Sequence, residues 1–201
     1  MITRRSLLLL TAAAALAPRF AHAADTSAQA MAFVQKLSDQ LVAVVNGDAP
    51  MADKKALMKS IIDSNVDVDG VAQFCLGRFW RQASADQQKQ YVGLFHDVLV
   101  TNITGKLGEY RGVKFTVNGA KSREDSEVVT TTVERPNNPP SQVDWVVTMA
   151  SGKPKIADVI AEGTSLRLTQ RSDYAAYLTR NQNSVDALIA AMKQQLSQQG
   201  S

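Results

Sequence analysis

Residues 91–117 read YVGLFHDVLVTNITGKLGEYRGVKFTV, and within this stretch the chain changes period. Tyr91, Leu94, Phe95, Val98, Leu99 and Ile103 recur at intervals of three and four, the stripe of an amphipathic helix. The stripe fades by Gly105 and Gly108. Val113, Phe115 and Val117 then alternate with polar residues, as a half-buried strand does. The chain is thus helical on one side of this junction and sheet on the other.

Upstream, Val34, Leu37, Leu41 and Val44 predict a helix over 28–46, which Gly47 can end. Leu57, Met58, Ile61 and Ile62 predict a shorter one over 51–63. Asp67 or Asp69 can cap a third helix that runs through Trp80 and turns Val71, Phe74, Cys75 and Phe79 inward. Ser84-Ala85-Asp86-Gln87 is a capping box, in which serine and glutamine each satisfy an orphan N–H of the other's turn, and it starts the long helix.

Downstream, Glu127 to Arg135 is rich in Val and Thr, and the proline-rich run over 136–140 forces a turn. Val143, Trp145, Val147 and Met149 alternate again and share one strand face. Lys155 to Glu162 and Ser165 to Thr169 complete four to five antiparallel strands. Residues 170–180 read as helix, Asn183 can cap a last helix, and the polar tail from Gln194 to Ser201 should fray. The fold class is α+β: N-terminal helices, a twisted antiparallel sheet, C-terminal helices. No repeat or linker divides the chain.

The N-terminus reads as an export signal. Arg4 and Arg5 precede an apolar run from Leu7 to Ala17 that is too short to span a bilayer. Ala21-His22-Ala23 supplies the small residues of a cleavage site after Ala23, and Thr3-Arg4-Arg5-Ser6 also fits a twin-arginine signal. Residues 1–23 are therefore expected to be removed, leaving 24–201 as one domain in a periplasm. The whole chain has 22 basic and 19 acidic residues. Three of the arginines fall in the signal, so the mature chain is formally neutral and its charge gives no reason to expect a nucleic-acid partner. Cys75 is the single cysteine and His96 the single mature histidine, so no disulfide and no Cys/His metal set is expected.

Three segments together resemble one family. They are Asp69-Gly70-Val71-Ala72-Gln73-Phe74-Cys75-Leu76-Gly77-Arg78-Phe79-Trp80 with Ser84-Ala85-Asp86-Gln87-Gln88, then Tyr91-Val92-Gly93-Leu94-Phe95 running on to Leu107-Gly108-Glu109-Tyr110, and Asp158-Val159-Ile160-Ala161-Glu162-Gly163-Thr164-Ser165-Leu166 leading into Arg171-Ser172-Asp173-Tyr174. Their order is similar to that of the MlaC family of periplasmic phospholipid-binding proteins, also called toluene-tolerance auxiliary proteins. The hopanoid-associated HpnM proteins form a branch of it.

The resemblance implies an NTF2-like, cystatin-related α+β fold and a soluble carrier without cofactor. It implies a phospholipid (or hopanoid) ligand whose acyl chains lie between sheet and helices. It implies exchange with an outer-membrane lipoprotein complex and an inner-membrane ABC lipid transporter, and a monomer suits a shuttle that shows its cargo to both. The candidate lipid-binding wall is Val143, Trp145, Val147 and Met149 with Val159, faced by Phe74, Phe79, Phe95 and Leu99. Arg78 and Arg81 are candidates for headgroup or partner contact, since guanidinium suits phosphate.

Each of these residues also fits a bland role, because a cavity wall and a packed core have the same composition. Arg78 and Arg81 equally fit a solvated helix face, Cys75 an inert buried thiol, and His96 a satisfied histidine. An NTF2-like enzyme with Asp158 as base and Tyr110 as donor is the rival reading, but the chain shows no nucleophile elbow and no Ser/His/Asp arrangement.

Overall fold

The structure, a computed structural model, describes residues 18–199, with side chains described from Asp25 onward. The predicted signal segment lies outside the described residues except for 18–23, which open the first helix.

Among the described residues six α-helices and five strands follow the predicted order. They are α1 (Pro18–Asn46), α2 (Met51–Asn65), α3 (Val68–Leu76), α4 (Ala85–Gly105), β1 (Lys114–Arg123), β2 (Ser126–Glu134), β3 (Ser141–Thr148), β4 (Lys155–Ala161), β5 (Thr164–Ser165), α5 (Leu166–Arg180) and α6 (Val185–Gln199). Two single 3₁₀ turns, Gly77–Arg81 and Leu107–Tyr110, carry the chain away from α3 and α4.

Local chemistry sets the helix ends. Asp67 caps α3 by accepting from the Gly70 N–H at 3.2 Å. The third helix stops at Leu76 rather than reaching Trp80, because Gly77 takes φ +59, a conformation that a side chain resists. Its buried face is Ala72, Cys75 and Leu76, while Val71 and Phe74 are half-buried. The Ser84–Gln87 capping box is present with both reciprocal bonds, and the Gln87 amide also donates to Asp186 at 2.8 Å, tying α4 to α6.

The sheet is a simple antiparallel meander, β1-β2-β3-β4-β5. Bulges interrupt the register between Val117 and Gly119 and between Val146 and Val147. The outer edge, β1, combines its bulge with Lys114, Lys121 and Arg123, features that discourage pairing with another chain. Helix α1 lies on the sheet over β1 and β2, while α3 to α6 pack together and reach the sheet at β4. Helix α2 bridges the two parts.

Besides the end of α3, and α1 starting at Pro18 rather than at residue 28, three further boundaries differ from the sequence expectation. Residues 165–169 do not form a strand, since β5 is only Thr164–Ser165 and α5 begins at Leu166. Ser165 accepts from the Leu168 N–H at 3.2 Å and Asp158 accepts from the Arg167 N–H at 3.1 Å, so side chains satisfy the first turn and the helix starts early. The cap of α6 is Ser184, accepting from Ala187 at 3.2 Å. Asn183 instead takes φ +59 and donates back to Leu178, ending α5. The polar tail stays helical to Gln199.

Candidate functional site

Among the described residues the apolar interior is divided among three clusters. The first is helical: Ala72, Cys75, Leu76, Phe79, Tyr91, Phe95, Tyr174, Leu178 and their neighbours from α6. The third lies between α1 and the sheet and joins Ala30, Val34 and Leu37 to Val129, Trp145, Val147 and Ile156. The second connects them, where the end of α1 meets α2, α4 and the start of β1. Leu99 packs against the first and second clusters, and Val143 against the second and third. An unbroken apolar seam therefore runs from the helical bundle to the sheet face beneath α1.

This placement splits the predicted lining. Phe79 and Phe95 are 2% and 6% exposed in the helical cluster, with Phe74 half-buried at its edge. Trp145, Val147, Val143 and Val159 belong to the α1–sheet cluster. The two groups form two walls joined through the second cluster, by Leu99 on one side and Val143 on the other, rather than a single wall. Met149 departs from the expectation: it lies one residue beyond the end of β3, half-exposed, and joins none of the three clusters.

Phe95 is bound into an aromatic triad. Its ring centroid lies 6.0 Å from Tyr91 and 6.5 Å from Tyr174. The Tyr91 hydroxyl donates to the Ala72 carbonyl at 3.0 Å, and burial, followed by the neighbouring Tyr174, pushes its pKa well up. These contacts describe a packed core. Under α1, the polar atoms of Trp145 and Thr131 satisfy each other, Trp145 Nε1 donating to Thr131 Oγ1 at 2.9 Å. Ser38, 1% exposed on α1, has a hydroxyl with no hydrogen-bond partner among the described residues.

Sequence reading did not single out Ser38, Thr131 or Glu127. Glu127 is a buried carboxylate at the start of β2 that holds α1, at Thr26 and Ser27, to the sheet. It accepts from Ser27 at 2.7 Å, Ser122 at 2.8 Å and Thr26 at 2.9 Å. Burial opposes its charge, but the hydroxyls of Ser27, Ser122 and Thr26 together outweigh burial, and its pKa is lowered. The polar residues at these three positions carry no periodic signal that would mark them.

Arg78 and Arg81 are exposed on the first 3₁₀ turn and have no carboxylate partner among the described residues. Asp158 and Tyr110 are not brought together as a catalytic pair. Asp158 is occupied by Ser165 and the Arg167 N–H at the start of α5, whereas Tyr110 packs in the second cluster with Arg135 over its ring at 4.9 Å. His96 is held by Asp63 at 2.6 Å and Asp97 at 3.2 Å. Burial first, with smaller opposing effects from neighbouring charges, pushes the Cys75 thiol up to about 12. Among the described residues no group of three His, Cys, Asp or Glu is placed to hold a metal ion, and no helix is long and apolar enough to cross a membrane.

Open grooves mark the described surface. One of about 460 Å³ lies between α2, α4 and α6 and is lined in part by Lys55, Lys59 and Asp97. Another, of about 520 Å³, follows α4 past Asp86, Lys89 and Asp97. Both lie open to solvent, where hydrocarbon would stay wet, which directs attention to the seam.

The family model described as MlaC protein matches residues 35–194. No curated protein matches the chain. Among solved structures, the phospholipid-binding protein from Ralstonia solanacearum, in complex with a phospholipid, shares the fold. Its TM-score is 0.74 at 23% identity, covering 86% of this chain and 99% of that one.

Proposed function

The chain belongs to the MlaC family, and from this premise we propose that it is a carrier of phospholipid, without catalysis of its own. The observation that carries the reading is the continuous apolar seam from Phe79 and Phe95, through Leu99 and Val143, to Trp145 and Val147. The Ralstonia protein of the same fold was determined with a phospholipid bound, which supports a lipid as the occupant.

Energetics set what the seam must do. Each methylene taken from water gains about 0.8 kcal/mol, so two chains with some thirty methylenes amount to roughly 24 kcal/mol. A carrier matches the bilayer only by keeping those groups dry. In this structure the seam is filled by the side chains that line it, Val34 and Val147 being wholly buried. Acyl chains therefore enter by parting the α1 and sheet walls and replacing contacts between side chains with contacts to hydrocarbon. One dry environment is exchanged for another, which keeps the transfer near balance.

In the full proposal, residues 1–23 direct export and are cleaved, and residues 24–201 act in the periplasm as a monomer. The carrier there exchanges lipid with an outer-membrane lipoprotein complex and serves as the substrate-binding component of an inner-membrane ABC lipid transporter. Native mass spectrometry of the processed protein tests the cargo. One diacyl phospholipid per chain, released by organic solvent, is the expected result. A pentacyclic lipid in the extract assigns the hopanoid branch instead. A protein that emerges empty and takes up no lipid overturns the proposal.

A further inference from the structure

At the corner where α3 ends and α5 begins, three guanidinium groups stack on aromatic rings, and two of them have no carboxylate partner among the described residues. Two guanidinium groups lie over the ring of Phe74, Arg167 at 4.5 Å and Arg171 at 4.8 Å from its centroid. Arg171 also lies against Gly77, where an added Cβ would stand 3.2 Å from its Nε. The next residue, Arg78, holds its guanidinium 4.8 Å over Phe79. The aromatic faces attract each cation and so keep like charges close together. Arg167 has a carboxylate partner, Asp158 at 3.5 Å, whereas Arg78 and Arg171 have none among the described residues.

The same corner exposes hydrocarbon. Leu166 and Leu168 flank Arg167 in the first turn of α5 and are 53% and 56% exposed, two of the four large hydrophobic residues so exposed among the described residues. Neither was free to turn inward, because the capped first turn fixes the helix while Tyr174 and Leu178 occupy the buried side.

We propose that this corner is a docking surface for an anionic lipid bilayer. Arg78 and Arg171 meet lipid phosphates, and Leu166 and Leu168 enter the boundary between headgroups and acyl chains. Charge complementarity selects this occupant: a guanidinium fork matches phosphate geometry, and cations beside exposed leucines are what hold an amphipathic segment to an anionic membrane. Helical residues two apart point to different sides, and both leucines lie in the first turn of α5, so the bilayer meets the N-terminal end of the helix, where it reaches both. The surface gives the carrier a place to meet a membrane, and it does not depend on which lipid is held inside.

Co-sedimentation of the processed protein with vesicles tests this. One set is phosphatidylcholine alone and the other equal parts phosphatidylcholine and phosphatidylglycerol. The protein is expected to bind the anionic set and to be released by salt. Arg78→Gln and Arg171→Gln should each lower the partition coefficient about fivefold. Leu166→Ser and Leu168→Ser should lower it further without changing the circular dichroism spectrum. Should Arg171→Gln loosen the packing on Phe74, Arg78→Gln and Leu166→Ser carry the test. Absence of binding, equal binding to both vesicle sets, or variants that bind as the unaltered protein does would each overturn the docking surface. Weighing the same preparations intact separates the two proposals. Lipid-loaded protein that ignores vesicles sinks this one alone, and lipid-free protein that binds them and takes up no lipid sinks only the carrier reading.

Discussion

The indole of Trp145 donates to the hydroxyl of Thr131 at 2.9 Å beneath α1, and that hydroxyl donates in turn to the Val143 carbonyl at 3.1 Å. Thr131 is completely buried, so the pair satisfies the indole N–H in a place that water does not reach. Thr131→Val keeps the shape and removes the acceptor. The expected cost is about 1–3 kcal/mol, the desolvation penalty of an unmatched donor. Thr131→Ser should recover most of it. Urea unfolding followed by tryptophan fluorescence measures both.

Glu127 ties α1, at Thr26 and Ser27, to β2, and its lowered pKa makes that tie sensitive to pH. A carboxylate whose folded pKa lies below its unfolded value of about 4.5 contributes stability that is fully present above that value. This contribution disappears as pH falls through the folded value. Glu127→Gln offers its three hydroxyl partners one carbonyl oxygen in place of a charged pair. It should cost roughly 1–3 kcal/mol at neutral pH and flatten the acid limb of a stability-against-pH curve. An acid limb identical to that of the unaltered protein would show that the charge of Glu127 does not contribute.

The two ends of the seam should separate by mutation. Phe95 is locked between Tyr91 and Tyr174, and Phe95→Ala is expected to destabilise by about 3–5 kcal/mol. Val159 is half-buried on the sheet wall under α1. Val159→Asp places a charge where the proposed hydrocarbon lies, and should lower the ratio of co-purified lipid to protein while the secondary structure persists. Lipid content that stays constant in Val159→Asp would place the cargo elsewhere.

These residues also show what the sequence made legible. The apolar stripe from Tyr91 to Ile103 and the alternation at Val113, Phe115 and Val117 placed a helix and a strand correctly, because burial on one face leaves a period. Periodicity says which side is buried, not against what, and so Phe95 and Trp145 looked like opposite sides of one cavity although they lie in different clusters. Leu166 and Leu168 alternate with polar residues as a strand does. The local capping by Ser165 and Asp158 overrode that pattern and left both leucines in solvent. The gathering of Arg167 and Arg171 on Phe74 joins residues more than ninety positions apart, and nothing in the local sequence announces it.

Cys75 offers a probe of opening that needs no mutation. Its side chain is 1% exposed against α5, and burial raises its thiol to about 12. At pH 8 only about one such thiol in ten thousand is ionised, and the thiolate is the reactive form. A thiol-specific reagent such as a disulfide chromophore should therefore react with the native protein far more slowly than with protein unfolded in urea. The sulfur lies 3.5 Å from the Arg167 carbonyl in the first turn of α5, so reaction requires α3 and α5 to separate. If lipid enters only between α1 and the sheet, uptake should leave the Cys75 rate unchanged. A rate that rises during lipid exchange would show that the helical cluster opens as well.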